Sequence, residues 1–216
     1  MEWFSPDHVT GKTLDHIGLV AATIDKIGLT EKIDRRIPVS HEKGAKITMG
    51  QRVTAMIMNG LGFVDDRLYL FPEFLKNKPV DADMLSEYKG QSKTESGFRF
   101  IKDNTFEVSS VFLKKPERIS ALMMIMTLCL MVYGIAQHHL RESLDRAGDM
   151  VPDQTKKPTS RPTMKWIYRM FCNIQVIALE MEGHIREIVI NVTEIHRKII
   201  RYFGEVAMRI YEVSPA

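Results

Sequence analysis

The sequence predicts a mainly α protein carrying one small β-hairpin, and three observations lead there. Apolar residues recur at helical spacing through most of residues 13–80. Residues 119–136 then run without a single charge, too long for a strand. Only one stretch, residues 174–190, carries two β-branched runs on either side of a turn, Glu182-Gly183-His184.

Taken in order, Thr13 offers a hydroxyl cap to a first helix whose apolar positions are Leu14, Ile17, Val20, Ala21 and Ile24, and Gly28 closes it. Residues 29–37 suit a second helix, stopped by Pro38, and residues 41–45 read as a polar connection. A third helix is expected from about Thr48, with Val53, Met56, Ile57 and Leu61 on one face and Gly60 and Gly62 at its end. Residues 68–76 suit a fourth. Together they make an N-terminal helical domain over residues 1–80.

Pro79 and clustered charges mark a boundary, after which residues 86–102 read as a polar helix and residues 106–113 as extended chain. Pro116 fits the first turn of a long apolar helix reaching about Leu144, so residues 81–144 form a second block. Residues 145–162, with Gly148, Pro152, Pro158, Pro162, Lys156, Lys157 and Arg161, have the composition of a linker. The last block, 163–216, is expected to hold a short helix over residues 163–171, the hairpin, and a helix capped by Thr193 and ended by Gly204. A final helical turn is expected over residues 206–211.

The chain has 216 residues, 44% hydrophobic and 26% charged, enough to bury one or two cores, and its net charge of +3 does not by itself point to nucleic acid. Cys129 and Cys172 lack a metal or disulfide spacing and are expected to be buried thiols of a reducing compartment. The first residues hold no apolar leader, so a cytoplasmic location is expected. The charge-free run is near the lower limit for a membrane span. Ser120, Thr127 and Gly134 dilute it, basic residues flank both sides, and its methionines suit irregular packing, so a core helix is the expectation and a membrane is not. The histidines, among them His16, His138, His139, His184 and His196, have no ligand spacing and are expected on the surface or at caps.

The chemically distinctive stretch is residues 88–102, where Tyr88, Gln91, Glu95 and Lys102 fall on one helical face. Such a face offers a metal-binding oxygen and a phosphate partner, although from the residues alone it is more simply the wet side of a helix. The spacing resembles the signature of DDE transposases of the insertion-sequence-four group: Tyr, two residues, Arg, three residues, Glu, six residues, Lys. Tyr88, Glu95 and Lys102 match it and Gln91 departs. The following text, Val108-Ser109-Ser110-Val111-Phe112-Leu113-Lys114-Lys115-Pro116-Glu117-Arg118-Ile119, resembles the later part of these proteins, and residues 13–80 resemble the N-terminal helical domain of one branch.

That resemblance implies a ribonuclease-H-like catalytic domain in which two aspartates join the glutamate to hold paired Mg²⁺ ions, with transposon-end DNA as substrate. Here only a short bridge at residues 80–86 separates the two blocks, where the family has a long stretch bearing both aspartates. The expectation is therefore an incomplete ribonuclease-H-like remnant: Glu95 is the family's metal-binding and catalytic glutamate, accompanied by Lys102 and Tyr88, without productive metal binding. Gln91 takes the place of a DNA-contacting Arg and cannot supply its cationic fork. Residual DNA binding is expected from Arg35, Arg36, Lys43, Lys46 and Arg52. An apolar helix deprived of its sheet is expected to self-associate or to join a full-length transposase.

Overall fold

The structure is a computed structural model that describes residues 9–37, 47–61, 116–181 and 184–214. The described residues form seven helices and two small antiparallel sheets, so the chain is mainly helical. No ribonuclease-H-like sheet is present among them. The chain divides into two compact units, one of residues 1–22, 77–79 and 136–216, the other of residues 23–76 and 80–135.

The first described element is a strand, and Thr13 ends it where a helix was expected to start. β1 (Val9–Thr13) pairs antiparallel with β4 (Gln175–Met181), Thr13 opposite Gln175, and β4 pairs with β5 (His184–Ile190), giving the order β1-β4-β5. α1 (Ile17–Lys26) starts four residues later than Thr13, after Leu14 and Asp15 both donate backbone N–H groups to the Ile174 carbonyl. Asp15 takes a left-handed φ of 46° at this corner, and its carboxylate accepts the Asn173 N–H at 2.9 Å. A short polar side chain tolerates that backbone and offsets its strain with a local hydrogen bond.

α4 (Pro116–Ala147) is the long helix. A Schellman-type end stops it: Gly148 has φ 61°, and the Asp149 N–H reaches back to the Leu144 carbonyl at 3.0 Å. Residues 145–162 do not form a loose linker. β2 (Val151–Pro152) pairs with β3 (Pro158–Thr159), Val151 is buried, and Asp153 Oδ1 closes the turn by accepting from the Thr155 and Lys157 N–H groups and the Thr155 hydroxyl. The Trp166 indole N–H donates to the Pro152 carbonyl at 2.8 Å, pinning the hairpin to α5 (Met164–Met170). Composition suggested disorder, but a few side-chain hydrogen bonds supply the order.

α6 (Glu194–Phe203) and α7 (Glu205–Ile210) follow, separated by Gly204 at φ 88°. Tyr168, Phe171, Ile199, Phe203 and Tyr211 close the core of this unit over Leu14, Leu140 and Leu144. Each large apolar side chain so buried contributes about 1.5–3 kcal/mol. His16, expected outside, is buried against Tyr168 with ring centroids 4.3 Å apart.

In the second unit, α2 (Leu29–Arg36) and α3 (Met49–Leu61) form an antiparallel pair, with Thr30 opposite Thr54 and Asp34 opposite Gly50. The start of α3 is fixed by a capping box: the Gln51 N–H donates to Thr48 Oγ1 and the Thr48 N–H to Gln51 Oε1. The Cys129 thiol points to the Ile57 carbonyl, seating α4 against α3. Burial pushes the Cys129 thiol up to about 12, so it remains protonated and inert. Cys172, by contrast, is exposed and not the buried thiol expected.

α4 has two apolar faces. Ile125, Cys129, Val132, Ala136, Leu140 and Leu144 lie on a buried strip, while Met123, Met124, Leu130 and Met131 are exposed, Leu130 to 67%. Met123–Ala147 is long and apolar enough by length and composition to cross a membrane. Within its later half, however, Gln137 Oε1 accepts the Met164 N–H, Arg141 Nε donates to the Pro162 carbonyl, and His139 Nε2 donates to the Tyr202 carbonyl. Those bonds tie polar side chains of the helix to neighbouring loop and helix ends.

Candidate nucleic-acid interface

The phosphate-contact candidates that can be placed lie on the α2–α3 pair. Gly28, left-handed at φ 59°, starts α2, and Lys32 Nζ reaches back to the Ile27 carbonyl at 2.7 Å. Asp34 turns toward α3, where Oδ1 accepts the Gly50 N–H at 2.6 Å. The N-terminus of α3, otherwise a ready anion site, is thus filled by the protein's own carboxylate and hydroxyl.

Arg35 and Arg36 are exposed in the last turn of α2, where a cation also complements the helix dipole. Neither forms an ion pair with any described residue. Glu31 and Lys32 share the exposed side of the helix, so its net charge is modest. Arg52 is a weaker candidate than its sequence position suggests: it is half-buried with Nε enclosed, and it is already engaged. Lys43, Lys46, Tyr88, Gln91, Glu95 and Lys102 lie outside the described residues, as do the expected helices at 68–76 and 86–102 and the extended chain at 106–113.

Among the described residues, no group of three or more His, Cys, Asp or Glu side chains could hold a metal ion. Several of the described carboxylates serve the fold, Asp34 and Asp153 among them. Asp149 accepts from Lys198 Nζ at 2.6 Å and from the Tyr202 hydroxyl at 2.7 Å, and these bonds hold its carboxyl below the usual range. Tyr202 is pushed up to about 12 by burial and by that same carboxylate. His196 is also structural. Its Nδ1 accepts the Thr193 N–H, its Nε2 donates to the Met170 carbonyl at 2.8 Å, and burial lowers its pKa.

These features define a mainly helical protein with small antiparallel sheets and an exposed pair of arginines on a helical hairpin. Residues 9–89 match a family model described as a domain of unknown function (DUF4277). No curated protein and no solved structure is significantly similar to the chain.

Sequence reasoning missed β1, whose Val9-Thr10-Gly11-Lys12-Thr13 text is short, polar and paired only with residues near the other end of the chain. It also read Lys156, Lys157 and Arg161 as linker charge and gave no role to Lys165 and Arg169 in the helix that follows. Their signal was a run of five cations without an acid, visible from the outset.

Proposed function

We infer that the chain is a transposase-family protein of DNA transposition, shortened internally, that binds DNA without cutting or joining it. The observation that carries this reading is the ordered match of Tyr88, Glu95 and Lys102 to the family signature, followed by the block at residues 108–119. The family-model match over residues 9–89 supports it by marking as one segment nearly the same stretch that resembles the N-terminal domain of one branch. Exposed Arg35 and Arg36 supply phosphate partners there. The ribonuclease-H-like remnant would be the part around Glu95, and the family's Mg²⁺ would lack its two aspartate ligands.

Paired metals about 3.5–4 Å apart need several converging carboxylates, and Glu95 alone has motif support. The test is strand cleavage and strand transfer on DNA carrying the cognate ends, with Mg²⁺ or Mn²⁺. No product is expected, and Glu95→Gln should change nothing. Cleavage abolished by Glu95→Gln would restore the active enzyme. Binding is tested in parallel: Arg35→Gln/Arg36→Gln in the full chain should weaken association with end DNA, and unchanged affinity and salt dependence would reject those contacts.

A second reading, a membrane-associated helical protein, is favoured by the apolar Met123–Ala147 segment. Recovery of the chain in the membrane fraction after an alkaline wash would support it over the cytoplasmic assignment.

A further inference from the structure

We propose that the β2–β3 hairpin and α5 form a phosphate-contact surface for the backbone of duplex DNA, built from Lys156, Lys157, Arg161, Lys165 and Arg169. These five cations stand within residues 156–169 without one acidic residue among them. All five are exposed. Lys156, Arg161 and Arg169 form no ion pair with any described residue.

The surface is held in place from behind. The β2–β3 pairing and the Asp153 turn fix Lys156 and Lys157, and the Trp166 bond to the Pro152 carbonyl sets the first turn of α5 beside β2. Arg141 grips the Pro162 carbonyl and Gln137 the Met164 N–H, fixing the chain between Arg161 and Lys165. Lys165 and Arg169 are four residues apart and therefore share one side of α5. Asp153, the nearest acid in sequence, has its carboxylate engaged in the turn. Cations held on an ordered scaffold lose less conformational entropy on meeting phosphates than cations on a free tail.

The partner follows from what the surface lacks. A membrane-binding face combines cations with exposed apolar side chains. Here Met164, Ile167 and Tyr168 are buried and the Trp166 N–H is turned inward. A protein partner would seek an apolar or aromatic anchor at its centre. Spaced cations with neither feature fit the repeating charge of a nucleic-acid backbone. By comparison α2 mixes Glu31 and Asp34 with its cations. The inference goes beyond the transposase reading and stands whether or not that reading holds.

The experiment uses the full chain, a random-sequence DNA duplex and fluorescence anisotropy across a salt series. The variant Lys156→Gln/Lys157→Gln/Arg161→Gln/Lys165→Gln/Arg169→Gln should bind more weakly, by about tenfold or more at low salt. Its slope of log affinity against log salt should be shallower by about 0.9 for each phosphate no longer neutralised, about two to four in all. Arg161→Gln/Arg169→Gln should show a smaller loss of the same kind and serves as the test should the fivefold variant lose its helical circular dichroism. The Arg35→Gln/Arg36→Gln background separates the two surfaces, since loss at the hairpin should persist in it. A variant slope equal to that of the parent, or a parent chain that binds phosphatidylserine vesicles but not the duplex, would overturn the proposal.

Discussion

The ring of Tyr211 lies so close to Gly18 that a Cβ at Gly18 would stand 2.5 Å from Tyr211 Cε2. Tyr211 cannot swing aside, being buried and bonded through its hydroxyl to the Asp15 carbonyl. Gly18→Ala should therefore destabilise the chain. The helix-propensity gain, at most about 1 kcal/mol, opposes an overpacking cost of about 1–3 kcal/mol. A lower thermal midpoint is expected, and Gly18→Ala melting at or above the parent temperature would show that the ring yields.

Gly50 poses a harder steric case, because its Cβ would run into the Thr30 carbonyl oxygen and stand 2.8 Å from Asp34 Oδ1. Backbone oxygen cannot rotate away. Gly50→Ala should loosen the α2–α3 pair, read as faster amide hydrogen exchange at Thr30 to Asp34. Asp34→Ala should do so less, since it removes one cap and adds no clash. Equal protection in Gly50→Ala and parent would contradict the packing described.

His196 makes stability depend on pH. Its folded pKa lies below the ordinary value of 6.5, chiefly through burial, so the unfolded chain binds the proton more readily. Stability from this group is thus fully present above about 6.5 and is lost as pH falls through that value toward the folded pKa. Protonation would also set a hydrogen on Nδ1 against the Thr193 N–H. Urea midpoints measured from pH 7.5 to 5 should fall more steeply for the parent than for His196→Gln; parallel curves would remove His196 from the cause. Asp149, whose carboxyl is shifted down by Lys198 and Tyr202, adds its own loss only at more acid pH.

The exposed side of α4 should drive self-association. Met123, Met124, Leu130 and Met131 present an apolar patch on a helix whose opposite face is already used. Sedimentation velocity should show concentration-dependent species that Leu130→Glu/Met131→Glu suppresses. A monodisperse monomer at high concentration would argue against the expectation.

The elements legible in the sequence were those fixed by local chemistry. Thr163 caps α5 through the Trp166 N–H, Gly204 breaks α6 from α7, and a charge-free run too long for a strand marks α4 as a helix. What stayed hidden depends on distant partners. β1 is a strand because β4 accepts it, and the hairpin at 151–159 is ordered because Trp166 and Asp153 hold it, relations that composition does not encode. The exposed second face of α4 is likewise invisible to periodicity, since Leu130 and Val132 are equally apolar. Of the candidate site, Arg35 and Arg36 were legible as exposed cations, whereas the enclosure of Arg52 Nε came from packing that no spacing rule conveys.

The pairing of Thr13 with Gln175 also sets a timetable. During synthesis β1 leaves the ribosome first and must wait for β4, which at about 5–20 residues per second takes roughly ten to thirty seconds. Through that interval Leu14, Leu19 and Val20 are made but their cover is not, since much of it lies beyond residue 136. The segment matched as a family domain, residues 9–89, is therefore one that the growing chain cannot finish when it is made. A nascent chain halted near residue 90 would offer those apolar side chains to chaperones, and only one that runs on through Tyr211 would cover them.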